Sequence, residues 1–310
     1  MDVQKFIAEK TNEIKSAVSD EKAISALSGG VDSSACTVLA HRAIGNNLKV
    51  IFIDDGLMRH NEPQDVAQIF AGLGIHVDII DARGEFFAAL KGLIDPEEKR
   101  KAFRNTFYSV FGRAVKESGA RYLVQGTIAA DIIETEGGVK TQHNILEQIG
   151  IDPDEGYGFK VLEPVKELFK PGVREVAAGL GLPEEISQRM PFPGPGLATR
   201  IVGEVTPERV ERVRRAHVII EEELTPLKPF QTFAVLLADK GTGIDEGKRK
   251  FGEIIIIRSV ESKDAMTADA TEVPWDILKR LAKRITTEIP QVVRVAYELT
   301  TKPPATIEYI

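Results

Sequence analysis

The sequence predicts an α/β protein with a parallel sheet, followed by a small α+β domain. Three observations carry this expectation. Short apolar runs alternate with helical periodicity up to about residue 190. The run PFPGPG at 191–196 then breaks the alternation. Beyond it the order changes to helix, two strands, helix, strand. Strands that are mostly apolar and alternate with helices belong in a parallel sheet covered on both faces. Three prolines and two glycines in six residues can continue neither a helix nor a central strand. The domain boundary is therefore expected there, with residues 1–190 in the first domain and 191–310 in the second.

Each element has its own signal. Residues 3–18 follow an amphipathic helical pattern. KAISAL (22–27) reads as a strand, and a helix runs from Asp32 with Val31, Ala35, Val38 and Leu39 on its faces. LKVIFID (48–54) is the second strand, residues 62–73 a helix and HVDIID (76–81) the third strand. A long helical zone runs from Pro96 to Ser118. RYLVQGT (121–127) and FKVLEPV (159–165) follow as strands, and 170–180 as a helix. In the second domain, 206–223 is a helix with Pro207 suited to its first turn. QTFAVLLA (231–238), EIIIIRSV (253–260) and QVVRVAYEL (291–299) are strands, and 274–287 is a helix. The stretch Glu134–Tyr157 is rich in Gly, Glu and Asp and lacks a period. It is long for a loop, as lids are.

Composition narrows the class. The chain has 310 residues, 43% apolar and 28% charged, with net charge −7. A protein that tracks a nucleic-acid backbone usually has a basic excess, so that class starts behind. No apolar run approaches the roughly 18 residues that span a bilayer. The N-terminus carries acids where a signal peptide would not. Cys36 is the single cysteine, so no internal disulfide forms. It is expected to be a small buried apolar residue. A cytoplasmic protein is the simplest expectation.

SALSGGVDSSACTVL (25–39) places Ser28-Gly29-Gly30-Val31-Asp32-Ser33-Ser34 between a strand and a helix. A Walker loop would need a lysine, and a dinucleotide fingerprint a different glycine spacing. What remains is a backbone that can approach an anion, hydroxyls that donate to phosphate oxygens, and a helix N-terminus that favours negative charge. Asp32 would repel a bare phosphate and suits Mg²⁺ or a helix cap.

This string resembles the signature of the ATP pyrophosphatase (PP-loop) family, whose domain has the adenine nucleotide alpha hydrolase-like fold. FIDDGL (52–57), DPEEKRKAFRNTF (95–107), QGTIAADIIE (125–134), KTQHN (140–144), LEPVKELFKPGVREV (162–176), PFPGPGLATRIVGEVT (191–206) and TKPPATIEYI (301–310) narrow it. Together they resemble the ATP-pyrophosphatase part of the GMP synthetase family, over nearly the whole chain.

The resemblance implies ATP-dependent amination of XMP through an adenylated intermediate, with release of AMP and pyrophosphate. It implies ATP and Mg²⁺ as cofactors, and an ATP site at Ser28 to Ser34, Asp54, Gly126 and Thr127. Catalytic roles fall to Asp32, Arg100 and Lys160, and metal binding to Asp32 and Asp131, with Glu134 as a further candidate. XMP is expected at Gln231, Arg258, Lys302 and Glu308, and Lys140 and His143 are weaker candidates in the lid. No nucleophilic cysteine for glutamine hydrolysis is apparent, so a separate glutaminase subunit is expected to supply ammonia. The second domain resembles a dimerisation module, and the apolar strand EIIIIRSV is expected to be covered by a partner copy. NAD synthetase, a tRNA-thiolating enzyme and a non-catalytic nucleotide sensor remain as alternatives that share the loop.

Overall fold

The computed structural model describes residues 1–136, 160–263 and 265–310. The expected lid, with Lys140 and His143, lies outside the described residues, as does the side chain of Glu134. Two compact units form. One comprises Met1–Asp54, Asn61–Ala82 and Asn105–Arg189. The other comprises Asp55–His60, Arg83–Arg104 and Met190–Ile310.

The first unit is built on a five-stranded parallel sheet: β1 (Ala23–Leu27), β2 (Leu48–Asp54), β3 (Asp78–Asp81), β4 (Tyr122–Val124) and β5 (Lys160–Leu162). Their spatial order is β3-β2-β1-β4-β5. The order reverses between β1 and β4, the switch point where open α/β sheets bind ligands at the carboxyl ends of their strands. Helices α1 (Val3–Val18), α2 (Val31–Ile44) and α3 (Glu62–Gly72) alternate with the strands. The Asp2 side chain caps α1 by accepting from the Lys5 amide at 3.1 Å.

Helix α2 buries Val31 and every residue from Ser34 to Ala40, the hydroxyls of Ser34 and Thr37 included, so it sits inside the unit. Cys36 lies on it, fully buried, and burial pushes its thiol up. Ile24, Leu39, Ile51, Phe52 and Phe70 are buried in the same unit.

Helices α4 (Arg83–Leu90) and α5 (Pro96–Ser118) follow, then α6 (Ala129–Glu136), α7 (Lys170–Gly179) and α8 (Glu184–Ser187). Helix α4 has no counterpart in the sequence expectations. Residues 55–60 and 83–104 fall inside the expected first segment but pack with the second unit. Hydrogen bonds explain this. Lys99 Nζ donates to the Ile201 carbonyl at 2.7 Å, the Gly92 amide to Glu204 Oε1 at 2.9 Å, and the Leu197 amide to the Leu57 carbonyl at 2.8 Å.

The second unit also contains α9 (Pro207–Leu224), capped by Thr206, which accepts from the Arg209 amide at 3.3 Å. Its sheet contains β6 (Gln231–Asp245), β7 (Lys248–Glu261), β8 (Asp269–Ala270) and β9 (Val292–Tyr297), with α10 (Trp275–Glu288) between the last two. β7 pairs antiparallel with β6 and β8 and parallel with β9. The strand EIIIIRSV is therefore central in its own sheet, and β6 and β9 cover the edges that were expected to need a partner copy. No helix among the described residues is long and apolar enough to cross a membrane.

Candidate nucleotide-binding site

The loop after β1 lies at the switch point of the sheet. Gly29 has φ +74°, where a side chain would be strained, and Gly30 is the N-cap of α2 with φ −85° and ψ 156°. The first helical bond runs from the Ser34 amide to the Gly30 carbonyl at 3.2 Å. The amides before it face forward, as at any helix start. Two hydroxyls frame them. Ser28 Oγ and Ser33 Oγ are 3.0 Å apart, the Ser28 amide donates to Ser33 Oγ at 3.2 Å, and Ser33 Oγ donates to the Gly30 carbonyl at 3.2 Å. The Gly30 amide reaches Ser28 Oγ only at 3.4 Å, the long limit of such a bond.

Gly126, just beyond β4, closes the other side. A Cβ there would lie 2.7 Å from the Ser33 amide nitrogen and 2.9 Å from the Asp32 carbonyl carbon. Only glycine lets these two backbones approach so closely. Thr127 Oγ1 donates to Glu163 Oε1 at 2.6 Å. Asp131 caps α6, its Oδ2 accepting from the Ile128 amide at 3.1 Å. Asp54 ends β2 at the same carboxyl edge.

Asp32 sits in the first turn of α2. Its Oδ2 accepts from Lys170 Nζ at 2.6 Å, while its buried Oδ1 has no partner among the described residues. A carboxylate oxygen left unpartnered beside an anion cradle fits a hard cation such as Mg²⁺. Lys170 escaped the sequence reading. Its one signal is a cation in the first turn of a helix, where the dipole disfavours it unless an acid stands in front. Glu62 and Arg189 were also missed. Arg189 Nη1 lies 2.6 Å from Glu62 Oε1 and donates to the Gly29 carbonyl at 3.2 Å.

Two further expected catalytic residues, Lys160 and Arg100, lie on other elements. Lys160 is the first residue of β5 and pairs with Tyr122, which pairs with Ala23 at the start of β1. It therefore sits at the amino edge of the sheet, about four residues (~13 Å) back along the strand direction from the end of β1. Its amine lies 5.9 Å from the Tyr122 ring centre. Arg100 belongs to the second unit, on α5, and pairs with Glu97 one turn earlier. The structure does not group it with the loop.

The expected XMP residues all lie in the second unit. Gln231 Nε2 donates to Glu308 Oε1 at 2.7 Å and to the Pro191 carbonyl at 3.2 Å. Arg200, missed in the sequence, donates to Glu308 through Nε at 3.1 Å and Nη2 at 2.9 Å. Its guanidinium is buried against the rings of Phe192 (4.7 Å) and Phe233 (4.3 Å). Glu308 Oε1 thus accepts two bonds and Oε2 one, so among the described residues one lone pair of Oε2 has no donor. Arg258 is buried and donates to the Thr300 carbonyl at 2.6 Å and the Thr306 carbonyl at 3.2 Å. Lys302 Nζ donates to the Ala265 carbonyl at 2.7 Å. Arg258 thereby ties the C-terminal tail to β7, and Arg200 ties it to the turn at 196–200.

A parallel 3-2-1-4-5 sheet carrying a lysine-free anion loop at its switch point defines a nucleotide-binding protein of the PP-loop class. Comparison with known proteins agrees. Residues 2–195 match the family model for NAD synthase, and 220–309 match that for the GMP synthase C terminal domain. The chain is 56% identical to a subunit of the glutamine-hydrolyzing GMP synthase of Archaeoglobus fulgidus, over 100% of both chains. It is 52% identical to the corresponding subunit from Pyrococcus furiosus (99% of this chain, 97% of the relative) and 52% identical to that from Methanosarcina barkeri (99% and 98%). The chain belongs to this family of GMP synthase subunits, the ATP-pyrophosphatase subunits of the two-subunit enzyme.

Proposed function

We propose that the chain aminates XMP to GMP at the expense of ATP, by the following chemistry. The loop from Ser28 to Ser34 holds the β- and γ-phosphates, so the α-phosphorus is left open to attack. The O2 oxygen of XMP bonds to that phosphorus, and the bond to the β-phosphate oxygen breaks to release pyrophosphate. Ammonia then adds at C2, and the C2–O bond breaks to release AMP. Adenylation matters because a purine carbonyl oxygen leaves poorly as hydroxide.

Main-chain amides and Ser28, Ser33 and Ser34 bind the phosphates, while Gly126 and Thr127 wall the nucleotide opposite and Asp54 lies at the end of β2. Asp32 Oδ1 is the proposed Mg²⁺ ligand, with Asp131 as the second candidate. The ion would offset triphosphate charge. Lys170, which holds the other oxygen of Asp32, fixes that carboxylate.

We assign residues 1–190 to the ATP-pyrophosphatase domain and 191–310 to the dimerisation and XMP-binding domain. There, Gln231, Arg258, Lys302 and Glu308 are the proposed XMP residues. Lys302 offers a point charge to the 5′-phosphate, and the open lone pair of Glu308 suits a purine N–H or ribose hydroxyl. A separate glutaminase subunit supplies the ammonia, as the naming of the relatives as one subunit of a glutamine-hydrolyzing enzyme implies. A homodimer is supported by exposed Ile244 (80%) and Phe251 (73%) in the second unit. A cytoplasmic location fits such a biosynthetic enzyme.

The observation that carries this reading is the lysine-free cradle at the sheet's switch point, in a chain matched over its length by GMP synthase subunits. The purified chain, given XMP, Mg-ATP and ammonium, should form GMP with one AMP and one pyrophosphate per turnover. ADP and orthophosphate as products would overturn it.

A further inference from the structure

We infer that the Glu62–Arg189 ion pair is a positioning device that locks the Gly29–Gly30 peptide in its anion-accepting orientation. The inference rests on the reading of the loop as a pyrophosphate cradle. Peptide geometry is its starting point. A trans peptide sets its carbonyl and its N–H on opposite sides. Arg189 Nη1 holds the Gly29 carbonyl at 3.2 Å. The Gly30 amide must then point away from Arg189, to the side where Ser28 Oγ waits at 3.4 Å.

Between two glycines nothing steric prevents this peptide from flipping. A flip would turn an amide out of the cradle and a carbonyl into it, which repels phosphate. Glu62 restrains the same peptide from a second direction. Its carboxylate is 1% exposed, and its Oε1 lies 2.5 Å from where a Cβ on Gly29 would sit. The pair itself is close, Nη1 to Oε1 at 2.6 Å. A buried ion pair adds little net stability over an apolar pair of similar size. What this pair contributes here is the direction of one peptide.

The test is the competitive inhibition constant of inorganic pyrophosphate against ATP, measured beside the KM for XMP. In Glu62→Gln and Arg189→Met, pyrophosphate should bind about tenfold more weakly, with the KM for XMP unchanged. Arg189→Lys, which keeps the charge and a donor, should recover most of the loss. The double variant E62M/R189M removes both charges of the pair together and guards against simple misfolding. It should keep the wild-type melting temperature yet show the same loss. If the double variant binds pyrophosphate as tightly as the wild type, the positioning role is overturned while the cradle stands. If the wild type itself fails to bind pyrophosphate in competition with ATP, the cradle reading and the positioning role fall together.

Discussion

Arg200 and Glu308 stand 108 residues apart in sequence, and the guanidinium of the first donates to both carboxylate oxygens of the second. Arg200 is fully buried, and among the described residues its hydrogen bonds run to this acid. Glu308→Ala should therefore cost about 3–5 kcal/mol, the usual penalty for orphaning a buried charge. Amides of the tail from 300 to 310 should exchange faster with deuterium. The KM for XMP should rise more than the KM for ATP. A tail that keeps its protection would show that Arg258 anchors it alone.

Gly126→Ala tests the closeness of the two backbones. The new methyl would meet the Ser33 amide nitrogen at 2.7 Å, and both contacts are main chain that cannot swing away. The start of α2 must shift, at about 1–3 kcal/mol. Steady-state kinetics should show a raised KM for ATP and little change for XMP.

Asp32→Ala removes the one acid of the loop. Its partner Lys170 is half exposed, so the pair adds at most about 1 kcal/mol to stability. GMP formation should nonetheless fall nearly to background while the melting temperature holds. Unchanged turnover would remove Asp32 from the chemistry.

Lys99 gives a pH signature. Burial, and then the nearby charge of Arg209, pull its amine down to about 8. In the unfolded chain it returns to about 10.4. Between these values the unfolded state binds more protons, so this group makes folding more favourable as pH rises through that window. The melting temperature of the wild type relative to Lys99→Met should therefore climb between pH 8 and about 10. A flat difference would mean that Lys99 is not held as the structure shows.

The parallel sheet was legible because its strands are apolar runs and its helices keep their period. β1 and β2 are named by AISAL and LKVIFID, and Pro207 marks the start of α9. The loop was legible too, since the full string from Ser28 to Ser34 after a strand, rather than Gly-Gly alone, carries the signature. The far half of the β6–β7 hairpin was not. Residues 239–253 are polar and glycine-rich, and they pair through main-chain bonds that leave no alternation in the side chains. Lys170, Glu62, Arg189 and Arg200 were missed for another reason. Each reaches a partner more than 100 residues away, and no local spacing records such a meeting. Lys160 stands at the start of its strand in the sequence reading and in the structure alike, where it pairs with Tyr122. Choosing among loop-sharing alternatives needed the second unit. The loop domain also fits the NAD synthase family, and it is residues 220–309 that match the GMP synthase C terminal domain.

The mechanism is tested most directly by following one oxygen atom. With XMP labelled at O2, turnover with Mg-ATP and ammonium should place the label in the phosphate of AMP and none in pyrophosphate. Label released to water, or delivered to orthophosphate or pyrophosphate, would contradict attack on the α-phosphorus and with it the role given to the loop.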